Sequence, residues 1–140
     1  MSPTPFDNLV KIGQLKIETP VQHEIDGLIQ SGLARLKDAE NPSLALESRF
    51  DLAYNAAHAL SLAALRWHGY RSENRYLVFQ TLTHTLKLTN EQWRVLDDAH
   101  RKRNQAEYEG VIDLHEQLVV ALIRVAREVS SRVQKLGPAS

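Results

Sequence analysis

Polar side chains occupy one face of a helix predicted near residue 100. His100, Asn104 and Tyr108 are spaced four residues apart, and Arg103 lies beside Asn104 in the sequence. In an α-helix, residues four positions apart share one face, so the three side chains form a row that Arg103 flanks. A guanidinium binds a phosphate through two parallel hydrogen bonds. The row is therefore a candidate phosphate-binding site.

This polar row interrupts an apolar pattern. Trp93 and Leu96 begin a buried stripe on the same helix, and the polar residues continue the line that the stripe would take. One interpretation is that the end of the helix leaves the core and that water and nearby carboxylates solvate its charges. The other is a polar cleft or dimer seam built around Arg103 and Asn104. The sequence leaves both interpretations open.

Further charged residues bear on this site. Arg101, Lys102 and Arg103 are three consecutive positive charges and form a candidate surface for binding RNA or phosphate. A second polar line, on the predicted central helix, consists of Glu47, Asp51 and Asn55, which are spaced four residues apart. It is either a solvent-facing stripe or a line that places Asp51 opposite Arg103, where the carboxylate would orient the guanidinium through an ion pair.

Composition limits the chemistry available to the chain. Its 140 residues are 43% hydrophobic and 24% charged, ordinary values for one folded domain. With 17 basic and 17 acidic residues, overall positive charge is excluded as the means of holding nucleic acid, although a local basic patch is compatible. The absence of cysteine excludes disulfides and thiolate metal sites. The six histidines lack a recognised metal spacing and no glycine-rich phosphate loop occurs, so we expect neither a metal nor a cofactor.

The sequence also predicts a cytoplasmic protein with no membrane association. No apolar run approaches the roughly 20 residues that a membrane-spanning helix requires. The first residues of the chain lack the apolar core of a secretory signal.

Helical periodicity runs along nearly the whole chain and predicts an all-α fold. We expect an antiparallel bundle of four to five main helices, because short loops place sequence neighbours side by side. The main helices are predicted at about 20–39, 42–68, 73–87, 90–109 and 113–136. Residues 1–18 are predicted to form an N-terminal segment or short helix, residues 19–136 the helical domain, and residues 137–140 a frayed tail.

Capping signals and composition distinguish these helices. The predicted cap residues are Thr19, Asn41, Ser72, Thr89 (in a capping box with Gln92) and Asp113 (in a capping box with Glu116). Gly69 and Gly110 are placed to end helices, since glycine adopts left-handed backbone angles without steric cost. The helix that contains His58 and His68 is alanine-rich and apolar on most faces, which predicts a central position. Both histidines are expected to be core or boundary residues with hydrogen-bonded ring nitrogens.

The order Arg103-Asn104-Gln105-Ala106-Glu107-Tyr108, near the end of a late helix and before a final helix, resembles a HEPN domain. The stretches Arg49–Ala57 and Gly69-Tyr70-Arg71 resemble the central helix and the following turn of bacterial HEPN proteins. The resemblance covers roughly residues 20–136. HEPN domains are all-α bundles found in many prokaryotic toxin–antitoxin and defence systems, so the resemblance implies a HEPN-like bundle here.

The resemblance also implies a ribonuclease site, which this chain carries in degenerate form. Active HEPN ribonucleases have an Arg-x4-6-His motif with a polar residue after the arginine, and two subunits bring their motifs together across a dimer interface. The arginine holds the scissile phosphate and the histidine helps to move the 2′-hydroxyl proton, without a metal. Arg103 and Asn104 match the first two residues of the motif, and Tyr108 stands where histidine is expected.

Tyr108 changes the expected chemistry. An unperturbed phenol has a pKa of about 10, against about 6.5 for imidazole, so tyrosine is a poor general base at neutral pH. It still donates a hydrogen bond to a phosphate oxygen. His100, one turn before Arg103, and His115, at the start of the last helix, are alternative bases that would approach from other directions.

Three functions stay open. The first is a HEPN-like protein that binds RNA, a nucleotide or a protein partner at the Arg103/Asn104 seam, in a toxin–antitoxin or defence-type system, with weak or no catalysis. The second is an active metal-independent endoribonuclease, a toxin, that uses Arg103 with Tyr108 or His100. The third is a helical interaction protein with no nucleic-acid role, either the partner of a nucleotidyltransferase or an antitoxin, or itself an antitoxin-side subunit, with Tyr108 as a candidate for modification. The resemblance implies a homodimer with an isologous interface.

Overall fold

The computed structural model describes residues 5–110 and 113–139, and these are mostly helical. The helices are Asp7–Lys11 (α1), Gln22–Ala39 (α2), Leu46–Trp67 (α3), Arg75–Gln80 (α4), Leu82–Thr85 (α5), Asn90–Glu109 (α6) and Glu116–Gln134 (α7). Two short strands, Lys16–Ile17 (β1) and Tyr70–Arg71 (β2), pair with each other. Apart from this small sheet, the all-α prediction is confirmed. The predictions for residues 1–4 and 140, at the ends of the N-terminal segment and the tail, lie outside the described residues.

The long helix α3 is central, as its apolar composition predicts. Small side chains on several of its faces are fully buried and let neighbouring helices come close: Ala53, Ala56, Ala57, Ala63 and Ala64. Leu60 of α3 packs against Gly32 of α2, where an added Cβ would lie 2.6 Å from the leucine Cγ. The absence of a side chain at Gly32 therefore sets the distance between these two helices.

Contacts at both ends show that α2 and α3 are antiparallel. Near the start of α2, Glu24 accepts a hydrogen bond from Arg66, which lies near the end of α3. At the other end of the pair, Arg49 donates to the backbone carbonyl of Ala39 over 2.8 Å. The predicted antiparallel packing is confirmed for these two helices.

The last helix, α7, covers α2 and α3 from one side and is held at its end. The backbone N–H of Ala139 donates to Gln22 at the start of α2, and the indole N–H of Trp67 donates to the Gly137 carbonyl over 3.1 Å. Near the middle of α7, Arg127 forms an ion pair with Glu40, just after the end of α2. Hydrogen bonds thus fasten residues 137–139, the segment predicted as a frayed tail.

The helix α6 carries most of the predicted site residues and has the predicted ends. The Thr89 side chain accepts from the backbone N–H of Gln92, and the Gln92 side chain accepts from the backbone N–H of Thr89, which completes a capping box. At the other end Gly110 is the C-cap residue in the left-handed conformation, with φ 73°. Leu96 and Ala99 of α6 are fully buried, so the first half of the helix joins the core.

Four of the five predicted caps are wrong by a few residues, and three of these precede the long helices α2, α3 and α7. The Asn41 side chain accepts from the backbone and the hydroxyl of Ser43, so it closes a local turn and α3 begins later, at Leu46. Before α2 the N-cap residue is Val21 instead of Thr19. The last helix begins at Glu116 after His115, which makes no side-chain cap hydrogen bond, so the capping box predicted from Asp113 is not formed.

The helix predicted at 73–87 is two short helices, α4 and α5. Asn74 caps α4 by accepting from the backbone N–H of Leu77 over 3.1 Å. Ser72, the predicted cap, instead accepts from the backbone N–H of Asn74. Thr81 lies between the two helices, and its hydroxyl donates to the Val78 carbonyl over 2.6 Å. This side-chain bond to the backbone accompanies the break between α4 and α5.

The two-stranded sheet and a buried arginine close the end of the bundle where α3 finishes. Gly69, with φ 92°, turns the chain after α3 so that β2 pairs antiparallel with β1. Arg66 is fully buried, and its guanidinium donates to Glu24 and to the backbone carbonyls of Glu18 and Thr19. These bonds compensate for the loss of hydration of the buried guanidinium, and they hold the segment before α2 against α3. Among the described residues, no helix combines the length and hydropathy needed to cross a bilayer.

Candidate functional site

Polar side chains from α3, α4 and α6 meet around Tyr54. The tyrosine lies on α3 and is fully buried, and its hydroxyl lies 2.9 Å from Nδ1 of His100 on α6. We call this group the Tyr54 cluster; its members are Tyr54, Asn55, Arg75, His100, Arg103 and Asn104. The structure therefore brings together three of the residues predicted from the sequence: His100, Arg103 and Asn104.

Both ring nitrogens of His100 have hydrogen-bond partners. Nδ1 faces the Tyr54 hydroxyl, and Nε2 lies 3.2 Å from Nδ2 of Asn104. A neutral imidazole carries one donor and one acceptor. With the Asn104 amide donating to Nε2, the proton of His100 sits on Nδ1 and is donated to Tyr54 Oη.

Two arginines lie close to the ring of Tyr54. The guanidinium carbon of Arg103 is 5.0 Å from the ring centroid, and that of Arg75 is 5.7 Å away. Cations at such distances are attracted by the electron-rich face of an aromatic ring. Arg75 also donates to Oδ1 of Asn55 over 3.0 Å, and Arg103 forms an ion pair with Glu107 over 3.1 Å. The ring of Tyr54 is thus a common platform for two positive charges.

Burial and the two arginines act in opposite directions on the phenol of Tyr54. Burial raises its pKa above the usual value near 10, because the phenolate would lose its hydration. The positive charges of Arg103 and Arg75 partly offset this effect. The net pKa is raised, so Tyr54 keeps its proton at neutral pH and acts as a hydrogen-bonding group.

The pKa of His100 is lowered from its usual value of 6.5. Burial is the largest cause, and the positive charges of Arg103, Arg101 and Arg75 lower it further, while Asp97 raises it. His100 is therefore neutral at pH 7. A neutral imidazole with a basic nitrogen is the protonation state that a general base requires.

His58, one turn after Tyr54 on α3, differs from its prediction. Its Nε2 is buried without a hydrogen-bond partner, whereas the sequence favoured a core histidine with bonded nitrogens. The ring meets Phe79 at nearly a right angle, with a centroid distance of 6.1 Å. Burial, with the charges of Arg75 and Arg103, lowers the pKa of His58 to about 4. The residue is neutral throughout the physiological range.

Tyr108 lies outside the Tyr54 cluster. It is 93% exposed, although it follows Asn104 by one turn. The helix α3 begins at Leu46, and its first turns line a cleft together with Ala106 and Glu107 of α6. Beyond these two residues, α6 extends past the N-terminal end of α3. Among the described residues, the last residues of the helix, from Glu107 to its C-cap Gly110, are exposed. The helical row is real, but its last member points to solvent.

An open cleft of about 470 Å³ separates the first turns of α3 from the second half of α6. It is lined by Ala45, Glu47, Ser48, Phe50, Asp51, Arg103, Ala106 and Glu107. Asp51, predicted to orient Arg103, lies in this cleft with it, and the ion pair of Arg103 is made to Glu107. Three carboxylates against one guanidinium disfavour an anion on this side. On the Tyr54 side, the guanidinium carbon of Arg103 lies 5.0 Å from the centroid of a fully buried ring.

The consecutive charges Arg101, Lys102 and Arg103 point in different directions, as helical geometry requires. Arg101 is largely exposed and forms an ion pair with Asp97 over 3.2 Å. Asp97 also accepts from the hydroxyl of Tyr76 over 2.9 Å. Arg101 and Lys102 line a second shallow cleft on another side of α6, and Arg103 alone of the three reaches Tyr54.

Sequence reasoning missed Tyr54 and Arg75 as members of the site. Tyr54 lies within the apolar pattern of the central helix; the signal that could have found it is its hydroxyl, because a buried tyrosine needs a hydrogen-bond partner. Arg75 lies at the start of α4, and no pattern in the sequence connects it with α6. His115 is the exposed N-cap residue of α7.

Among residues 5–110 and 113–139, no group of three or more His, Cys, Asp or Glu side chains could hold a metal ion. Comparisons of this chain with family models, with curated proteins and with solved structures gave no match. The chemistry of the Tyr54 cluster and the resemblance described from the residues are therefore the basis for inferring a function.

Proposed function

We propose that this chain is a HEPN-like protein that binds single-stranded RNA through a backbone phosphate at the Tyr54 cluster, with weak or no catalysis. One observation carries the proposal: Arg103 is held over the Tyr54 ring beside His100 and Asn104. A guanidinium fixed in this way is preorganised to bind a phosphate oxygen pair. The carboxamide of Asn104 adds a neutral donor.

Weak or absent catalysis follows from the contacts of His100. A general base needs a lone pair within hydrogen-bond reach of the proton that it removes. In the cluster, Nδ1 is occupied by Tyr54 and Nε2 by Asn104. Tyr108, at the position of the expected histidine, points to solvent. The protein is then suited to hold RNA without cleaving it.

The alternative is an active metal-independent endoribonuclease, and the lowered pKa of His100 is the observation that favours it. If the Asn104 amide turned to the RNA, Nε2 of His100 would be free to accept the 2′-hydroxyl proton. Arg103 would hold the scissile phosphate. The products would then end in a cyclic phosphate, and cleavage would proceed in EDTA.

The exposed end of α6 supports the proposal of a homodimer. A tyrosine that is 93% exposed is a large aromatic surface in water, and such residues are enriched at protein interfaces. Through the HEPN resemblance, a second copy would cover Tyr108 in a two-fold interface. A role in a toxin–antitoxin or defence-type system, with an antitoxin or a nucleotidyltransferase as partner, rests on the same resemblance.

Fluorescence anisotropy with a labelled single-stranded RNA tests the binding proposal. We expect Arg103→Ala to weaken binding by about tenfold or more, since hydrogen bonds to charged groups contribute about 1.5–3 kcal/mol. Arg94→Ala is the matched control, because Arg94 is exposed on the same helix and lies on the opposite face from Arg103. Equal affinities for wild type and Arg103→Ala would contradict the proposal.

A further inference from the structure

Among the described residues, Arg75 forms no ion pair with an acidic side chain. Among residues 5–110 and 113–139, the ion pairs within 4 Å do not include it. Its hydrogen bond is made to the neutral carboxamide of Asn55, over 3.0 Å. The residue is half-buried, so its charge is partly removed from water. A cation in this situation favours an anion in the adjacent space.

Arg75 and Arg103 act on the same small region from two elements. Arg75 comes from α4 and Arg103 from α6, and the guanidinium carbons lie 5.7 Å and 5.0 Å from the centroid of Tyr54. The charges of both residues lower the pKa of His58 and of His100 as well. By these distances the two guanidinium carbons are no more than about 11 Å apart, and like charges repel each other. The carboxylate of Glu107 faces Arg103 from the exposed cleft and leaves Arg75 uncompensated.

We propose that Arg75 and Arg103 together bind one phosphodiester group of single-stranded RNA, with Arg75 as the ligand from α4 and Arg103 as the ligand from α6. This inference rests on the proposed function and deepens it by adding a residue that the α6 motif does not contain. A phosphate between the two guanidiniums replaces their repulsion by attraction. The fully buried ring of Tyr54 is in contact range of both guanidiniums.

Exchange of partners at Arg75 makes this binding favourable. On RNA binding, the guanidinium gives up a neutral amide oxygen of Asn55 for a charged phosphate oxygen. Charge-assisted hydrogen bonds are about twice as strong as neutral ones. Asn55 is itself half-buried on α3 and its Nδ2 donates to the Asp51 carbonyl, so it keeps a partner after the exchange.

The test compares Arg75→Gln, Arg103→Gln and Arg94→Gln in RNA binding across a series of salt concentrations. Each variant removes one positive charge, and Arg94 lies on the far face of α6. We expect Arg75→Gln to weaken binding about tenfold and to reduce the slope of log K against log salt by about 0.7, the value for one lost contact with a single strand. Arg94→Gln should change neither quantity by a comparable amount.

The outcomes separate this inference from the proposed function. If Arg103→Gln weakens binding and Arg75→Gln does not, Arg75 is not a ligand and the inference is overturned, while the proposed function stands. If neither variant weakens binding, both fail. Circular dichroism melts establish that each variant is folded. On the wild-type protein, an NMR titration with the same RNA should shift the Nε–Hε resonance of Arg75; an unchanged resonance under saturating RNA also overturns the inference.

Discussion

Tyr54 of α3 and His100 of α6 form a hydrogen bond between the phenol Oη and Nδ1, 2.9 Å long. Tyr54 is fully buried in the core, and His100 is a half-buried member of the candidate site. The bond therefore connects the packing of the central helix to the position of the site. Because Nδ1 is held by the core, the face of His100 that a ligand can reach is the one bonded to Asn104.

Removing the Tyr54 hydroxyl should loosen this connection. We expect Tyr54→Phe to lower the free energy of unfolding by about 1 kcal/mol, since the ring still packs and one hydrogen bond is lost. Urea denaturation measures this change, and the ring resonances of His100 should broaden or shift in NMR spectra. An unchanged unfolding free energy with unchanged His100 resonances would show that the bond does not hold α6.

The close approach of α2 and α3 makes a sharp prediction about two glycines in the same helix. Gly32→Ala places a Cβ 2.6 Å from Cγ of Leu60, so we expect overpacking to cost about 1–3 kcal/mol of stability. Gly27→Ala is the matched control, because no atom lies within 4 Å of its added Cβ and alanine favours a helix by up to about 1 kcal/mol. Thermal melts of the two variants should therefore shift in opposite directions. A stabilised Gly32→Ala protein would contradict the packing described.

Buried Arg66 is expected to contribute more to stability than its neighbour Arg71. Arg66→Met removes donors from Glu24 and from the carbonyls of Glu18 and Thr19, and should cost about 3 kcal/mol or more. The side chain of Arg71 is 29% exposed although it binds the carboxylates of Glu18 and Glu24, so Arg71→Met should cost about 1 kcal/mol or less. Urea denaturation of both variants tests the order. Equal losses would mean that burial does not distinguish the two arginines.

The burial of neutral His58 should make stability depend on pH. Its pKa is about 4 in the folded protein and near 6.5 when unfolded, so the unfolded chain binds the additional proton between these values. The contribution of His58 to the free energy of unfolding should be fully present above pH 6.5. It should fall by up to roughly 3 kcal/mol as the pH approaches 4. The pKa values of His68 and His100 are also lowered and add in the same direction.

His58→Leu isolates this contribution, because leucine fills similar space and does not titrate. Its unfolding free energy, measured by urea denaturation at several pH values, should fall less than that of wild type between pH 6.5 and 4. His23→Leu, on the exposed surface of α2, serves as the control and should retain the wild-type dependence. Identical pH profiles for wild type and His58→Leu would mean that His58 is not buried as a neutral group.

Local signals in the sequence predicted the elements better than they predicted the site. The capping box of Thr89 and Gln92 and the left-handed Gly110 act within a few residues, so the bounds of α6 follow from the sequence. Asn41 resembled a cap equally well, but its bonds to Ser43 form a competing local turn. A helix cap and a local turn each give the side-chain oxygen of asparagine or threonine a hydrogen-bond donor, so tertiary packing decides which of the two forms.

The site depends on contacts that no periodicity encodes. His100 and Asn104 share a helix face by spacing alone, and their contact was predictable. Tyr54 and Arg75 reach them from other helices, across 46 and 25 positions of sequence from His100 (100 − 54 and 100 − 75). Tyr108 continues the row by spacing, but α6 extends past the N-terminal end of α3 before that residue, so Tyr108 is exposed. Where one helix ends relative to another is a property of the assembled bundle.

The most direct test of the account incubates EDTA-treated wild type, Arg103→Ala and Arg94→Ala with one labelled single-stranded RNA and measures binding and cleavage together. We expect wild type and Arg94→Ala to bind the RNA, and Arg103→Ala to bind it about tenfold or more weakly. We expect none of the three proteins to release cyclic-phosphate products at an appreciable rate. Binding of equal strength by wild type and Arg103→Ala would contradict the central claim that the phosphate lies at the Tyr54 cluster. Rapid Arg103-dependent cleavage would contradict the absence of catalysis.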